Sequence, residues 1–248
     1  MINELLLLSG NDIPFPEAQL TIHQPTLKEI AYIGEESFYT GCEFLRFSKD
    51  NLDTKDRIHL ENYTNFDVLM SIIKEQNITI QKSRVCVEMV LSLMFPNYEI
   101  KIERDFLSFK ENDNQDIYKI DNSNFNEFLS ILNGMFCLKD NASNNNSYNP
   151  GGDMAKKIAE KLKKRHQILA ETEKPSKISI ISRYVSILTV GEQKDMNSFM
   201  QYTVYQLFDE FKRYEMKLNW DIYLRAKLAG AKDLKEVDDW MQDIHSEE

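Results

Sequence analysis

The chain has 248 residues, 42% of them apolar and 28% charged, with 8 Gly and 6 Pro. That composition excludes a disordered chain, allows one large core or two small ones, and favours helices over a turn-rich all-β sandwich. The formal net charge of −10 argues against a duplex-DNA binder, whose phosphate contacts need a basic face, although only as a sum over the chain.

The opening "MINELLLLSG" has a four-leucine run, no basic residues before it and an acid at Glu4. It is too short for a signal peptide or a membrane span and is predicted as an opening strand. Turn residues at Ser9 to Asp12 and the prolines Pro14 and Pro16 follow. Ala18, Leu20 and Ile22 then alternate with Gln19, Thr21 and His23, the period of a half-buried strand, so a hairpin is expected here.

Thr26 and Glu29 spell a capping box, predicting a helix from Leu27. Gly34 and Gly41 interrupt the next apolar stretch, so two short helices compete with one long one. Thr64 or Asn65 caps "NFDVLMSII", and "SRVCVEMVLSLMF" is an apolar helix stopped by Pro96. The period then changes. Apolar pairs at Ile100 and Ile102, Phe106 to Phe109, and Ile117 and Ile120 are split by polar breaks, predicting a three-stranded meander. Asn122 or Ser123 caps the helix "NFNEFLSILNGMF".

The segment "DNASNNNSYNPGGD", residues 140–153, separates two differently charged regions. Met1–Lys139 holds 13 basic against 22 acidic residues, a net of −9, and Asp140–Glu248 holds 17 against 18, a net of −1. Beyond it the period is helical. "MAKKIAEKLKKRHQILAETEK" reads as one helix, and Ile178 to Leu188 fits helix or strand, stopped by Gly191. A long helix is predicted over 195–218, with Met196, Met200, Val204, Leu207, Phe208, Phe211 and Tyr214 as its apolar stripe, then a new one capped by Asn219 and closed by Gly230, and a last one over 234–244. The expected architecture is α+β: an N-terminal mixed domain over 1–139 with a β-hairpin, a three-stranded meander and helices; a flexible linker over 140–153; and a small all-helical domain over 154–248.

No catalytic constellation is present in the sequence. The four histidines lack metal-ligand spacing, the three cysteines Cys42, Cys86 and Cys137 form no CxxC and suit reduced, packed thiols, and "PGGD" lacks the pattern of a phosphate loop. Neither a nucleophile elbow nor a zinc-protease motif occurs, and Asp238–Asp239 is better explained as exposed helix acids than as a metal site. No enzyme activity, cofactor or metal is therefore expected.

Two candidate binding surfaces stand out. Lys156, Lys157, Lys161, Lys163, Lys164 and Arg165 place six cations within ten residues, suited to an acidic partner, nucleic acid, an anionic membrane or simply solvent. Such a helix could also face the acids at 233–248 of its own chain, in exposed pairs worth about 0–1 kcal/mol each. Tyr202, Tyr205 and Tyr214 spread around an aromatic-rich helix whose core stripe holds Phe208 and Phe211. More apolar faces than one core can bury suggest a protein contact, with ordinary core packing as the competing account.

Two blocks of the chain carry a resemblance. "IPFPEAQLTIHQPTLKEIAYIGEESFYTGCEFL", with its P-T-x-K-E-I helix start, resembles the start of small tail-morphogenesis proteins of tailed bacteriophages. The block from Phe199 to Ile244, through Thr203, Gln206, Leu207, Arg213, Tyr214, Gly230 and Trp240, resembles the helical ends of phage tail assembly chaperones and T4-type baseplate hub assembly proteins. The resemblance implies a non-catalytic protein acting in the host cytoplasm or carried in the virion tail or baseplate. Its implied partners are tape measure, tail tube or baseplate hub proteins; membrane contact is not expected, and an oligomer is compatible. It also raises the idea that this chain fuses the core and second domains that many tail chaperone systems express separately. The rival reading is a nucleic-acid-associated regulatory factor using the basic helix 156–165.

Overall fold

The computed structural model describes residues 2–49, 62–74, 78–111, 116–138, 179–231 and 237–242. The expected linker at 140–153 and the helix carrying Lys156 to Arg165 lie outside the described residues.

The leucine run is helix α1 (Glu4–Ser9), not a strand. Leucine is a strong helix former, the Asn3 side chain accepts the Leu5 N–H, Glu4 sits in the first turn, and Gly10 closes the helix at φ 68°. The hairpin comes next: β1 (Ile13–Phe15) pairs antiparallel with β2 (Leu20–Ile22), and a single 3-10 turn (Pro16–Ala18) joins them. The buried Gln24 amide donates to the carbonyls of Leu6 and Asn11, fastening α1 onto the hairpin.

Helices α2 (Leu27–Ile33) and α3 (Glu35–Leu45) are two, as one of the alternatives had it, and Gly34 at φ 83° makes the break. Gly41 breaks nothing. It lies inside α3 where a Cβ would stand 2.5 Å from the Cys86 carbonyl oxygen, so its role is close approach to α5. Thr64 caps α4 (Asn65–Ile73), and α5 (Ile78–Met94) ends just before Pro96. The meander forms as expected from β3 (Tyr98–Ile102), β4 (Leu107–Glu111) and β5 (Ile117–Ile120), in the order β3-β4-β5 and all antiparallel. The cap of α6 (Phe125–Met135) is Asn124 rather than Asn122 or Ser123. Its side chain does not cap that helix; it accepts the Asp121 N–H and donates to the carbonyls of Lys119 and Glu17.

The ambiguous stretch after 178 is helix α7 (Ile180–Glu192), capped by Ser179. Gly191 does not end it. Gln193, in the left-handed conformation at φ 57°, does. The long helix predicted over 195–218 is broken: α8 (Met196–Phe199) stops, and Thr203 starts α9 (Val204–Leu228) afresh with a capping box to Gln206. Asn219 caps nothing, because α9 runs through it for 25 residues with no Gly or Pro to interrupt the hydrogen-bond ladder. Gly230 at φ 83° is the expected terminator. Residues 237–242 hold no helix, against the one predicted over 234–244.

Both sides of the 139–178 gap contribute to one buried cluster. Phe15, Phe38, Phe95, Phe109, Phe125 and Phe128 belong to it, and so do Ile181, Val185, Leu188, Phe199, Val204 and Leu207. Overall the protein is α+β with a helical C-terminal region, and its described helices complete the core of the mixed region rather than enclosing one of their own.

The seam between the two is built from helix starts. Thr26 and Thr203, the caps of α2 and α9, form an antiparallel bridge. The first N–H groups of α2, from Leu27 and Lys28, donate to the carbonyls of Tyr202 (2.8 Å) and Met200 (3.0 Å). These are donors that a helix cannot satisfy internally, so the chain before α9 supplies what α2 lacks. Gln206 Nε2 donates to the Leu8 carbonyl at 2.7 Å, and Glu35 accepts the Ile181 N–H at 3.3 Å.

Candidate protein-binding surface

The three tyrosines do not make one surface. Tyr205 is 6% exposed and belongs to the core, so its ring is not available to a partner. Tyr202 is half-buried before α9 and packs edge-on against Phe199. Tyr214 is half-buried over Gly191, where a Cβ would fall 2.2 Å from its hydroxyl oxygen. Gly191 is therefore a packing residue that lets α7 and α9 meet. Tyr184 stacks on Phe211, with centroids 3.7 Å apart and rings 4° from parallel, which closes the same contact from the other end.

A polar cluster sits where α7 ends. The left-handed Gln193 turns the chain so that Glu192 and Lys194 both aim at Glu210 of α9. Lys194 Nζ lies 2.8 Å from Glu192 Oε2 and also contacts Glu210 Oε1. Burial pushes the Glu210 carboxyl up, and the facing Glu192 pushes it further. Burial acts on Glu192 in the same direction, but hydrogen bonds from Glu210 and Lys194 outweigh it and hold Glu192 below the usual carboxylate range. Partial burial and the hydrogen bond with Glu210 raise the Tyr202 phenol. A carboxyl–carboxylate pair with a lysine lodged against both is suited to holding the α7–α8 turn onto α9, since its charges are already partnered.

Beside this cluster lies an open depression of about 500 Å³, lined by Gly191, Glu192, Tyr214, Lys217, Leu218 and Asp221. Here the described residues stop covering α9. The apolar stripe Val204, Leu207, Phe208, Phe211 and Tyr214 continues at the same three-to-four spacing to Leu218 and Ile222. Val204 and Leu207 are fully buried, whereas Leu218 is 46% exposed and Ile222 57%. Leu224 and Leu228 are exposed off this stripe, Leu224 one heptad on from Lys217 and so on the side away from it, and Val190 is exposed near the end of α7. The outer turns of α9, residues 216–228, span about 20 Å at the helical rise. On the opposite side Arg213 donates to the carbonyls of Trp240 and Gln242, and Lys217 lies over the Trp240 ring at 5.9 Å.

The apolar stripe predicted from the sequence ends at Tyr214 and Asn219 offers a new helix start, which leaves Leu218 and Ile222 outside the stripe. Carrying the stripe of Phe211 and Tyr214 onward by four residues, twice, would have found both.

The remaining candidates are elsewhere. His23, expected on an outward, solvated face, is held between two carboxylates, with Nδ1 2.9 Å from Asp12 Oδ1 and Nε2 3.3 Å from Glu29 Oε1. Glu29 also accepts from the Thr26 N–H and hydroxyl at 2.7 Å each. Partial burial raises the Glu29 carboxyl, but these hydrogen bonds and His23 bring it below its ordinary value. The Thr26 hydroxyl donates to Glu29 and accepts the Glu29 N–H, so the group is a tie between hairpin and cap. His59, His166 and His245 lie outside the described residues. Cys42 is fully buried, and burial pushes its thiol far up. Asp239 accepts the Met241 N–H in a local turn, and among the described residues no three His, Cys, Asp or Glu side chains gather as a metal would need. No described helix is long and apolar enough to cross a membrane.

Residues 173–245 match the family model described as the YomV second domain, a phage-associated domain family. No curated protein and no solved structure matches the chain. The matched segment contains α7, α8, α9 and the outer stripe, and the chain's likeness to that family is confined to it, less than half of its length. Several residues behind the tail-protein resemblance do structural work here. Thr26 and Thr203 cap helices, Leu207 is core, Gly230 ends α9 and Arg213 clamps the Trp240 turn.

Proposed function

We propose that this is a non-catalytic phage morphogenesis protein that binds other tail or baseplate proteins through the outer half of α9 during virion assembly. The observation that carries the reading is the stripe itself: Leu218 and Ile222 extend a core-forming row into solvent. Apolar side chains left exposed in line with a core-forming row are candidates for a contact surface. The phage association of the matched family supports the setting, and the resemblance to tail chaperones and hub assembly proteins supplies the partner class: tape measure, tail tube or baseplate hub protein. Binding would take place in the host cytoplasm, with the protein retained in the virion if it is a baseplate component. Half-buried Tyr214 borders this surface, and Tyr202, just before α9, and Lys156 to Arg165, outside the described residues, remain candidate contacts.

The test is co-expression of the full chain with each tail and baseplate protein of the phage that encodes it, followed by affinity purification. The expected result is a stable complex with tape measure, tail tube or hub protein, lost on Leu218→Gln with Ile222→Gln while the melting temperature holds. Retention of none of these proteins by the wild-type chain would overturn the reading. A complex with DNA that weakens steeply with salt would replace it with the nucleic-acid one.

A further inference from the structure

We propose that the face which residues 2–138 present to the segment 179–231 is an exchangeable docking surface, and that its second occupant is the same segment of another copy of this chain. The proposal stands on the seam and does not depend on the tail assignment. Every tie across the seam joins a residue before 139 to one after 178: Leu27 and Lys28 to the carbonyls of Tyr202 and Met200, Leu8 to Gln206, Glu35 to Ile181, and Thr26 to Thr203. The segment also supplies Val185, Leu188, Phe199, Val204 and Leu207 to the common core. Residues 2–138 without it would expose those apolar neighbours and leave the first N–H groups of α2 without their carbonyl partners.

The forty residues 139–178 are the whole covalent link between the two sides. A chain of that length reaches at most on the order of 130 Å at full extension, enough to enter a neighbouring copy. The contacts are the same whether the segment comes from its own chain or another, so concentration decides between them. The seam is also incompletely filled. A half-open depression of about 430 Å³ lies between Leu27 and Ile30 on one side and Val185, Met196 and Met200 on the other. Fewer contacts are lost there when the segment leaves than a close-packed core would lose.

The experiment uses the full chain with a protease site inserted within residues 140–153, prepared in heavy-isotope and ordinary forms. An equimolar mixture is denatured, refolded either dilute or concentrated, cleaved, and weighed by native mass spectrometry. After cleavage the two pieces are expected to remain together as one particle of monomer mass. The concentrated sample should contain heavy–light hybrid particles in about equal number to the parental ones, and the dilute sample mainly parental particles. Hybrids in both samples would mean that the pieces exchange after cleavage, which equally requires docking in trans. Separation of the pieces on cleavage, or parental particles alone under both conditions, would overturn the proposal.

Discussion

The inner and outer halves of α9 are written in the same pattern and meet different fates. From Val204 to Phe211 the stripe is absorbed by α1, α6 and α7; at Leu218 and Ile222 the same spacing of apolar residues faces solvent. A helix does not need tertiary contact along its whole length once its start is fixed, and α9 is fixed at Thr203 by its cap and its bridge to Thr26. The inner half therefore pins the outer half in place, and the outer half keeps Leu218 and Ile222 open to solvent.

The largest effect that would break this comparison is at Leu207. Leu207→Ala should cost about 2–5 kcal/mol in denaturant unfolding, because the side chain is fully buried and its loss leaves a cavity. A cost near zero would mean that the inner half is not anchored as described. Thr203→Ala should cost about 0.5–2 kcal/mol by removing the cap, and it should loosen α9 from its first turn onward in hydrogen exchange.

A smaller, pH-dependent effect separates the polar cluster from the apolar stripe. The folded state lowers the Glu192 carboxyl, so its contribution is present above the ordinary carboxylate range and is lost as pH falls through the lowered value. Glu210 is raised, so it favours the folded state in acid and opposes it as pH climbs past that raised value. Glu192→Gln should accordingly destabilise more at pH 7 than at pH 4, and Glu210→Gln should show the opposite trend. Parallel pH profiles for the two variants would show that the pair is not split. The smallest expected effect belongs to the outer half: Leu218→Gln with Ile222→Gln should change stability by no more than about 0.5 kcal/mol while removing partner binding.

Much of this could be read from the sequence, and the failures have local causes. The meander was legible because polar breaks separate runs of strand period, and the capping box at Thr26 and a cap at Thr64 or Asn65 were legible because their chemistry is local. The leucine run misled because an apolar cluster of that length has no period to distinguish strand from helix. Gly41 and Gly191 read as breakers, yet each is required by a neighbour distant in sequence, Cys86 and Tyr214. Asn219 read as a cap because it can serve as one, but nothing before it interrupts α9. The charge step at 140 suggested two domains, whereas the shared core depends on contacts between residues some 180 positions apart, such as Thr26 and Thr203, and single-sequence reading has no access to those. Of the three tyrosines, Tyr214 lines the depression beside the stripe, Tyr202 packs on Phe199 before α9 and Tyr205 lies in the core, while the exposed Leu218 and Ile222 fall beyond the stripe that the sequence pattern marks.

Ile222 lies on the exposed stripe, whereas both tryptophans of the chain lie on the other side of α9, Trp220 two residues from Leu218 and from Ile222, and Trp240 against Arg213 and Lys217. The full chain labelled with carbon-13 at its isoleucine δ1 methyls therefore carries a reporter on the stripe itself, assigned by Ile222→Leu, and an unlabelled partner contributes no signal. On titration with the co-purifying tail or hub protein, the Ile222 resonance is expected to shift or broaden, and a chain carrying Leu218→Gln should show a much weaker change. An Ile222 resonance that stays fixed while the two proteins still co-elute would contradict the account, because binding would then lie away from the stripe.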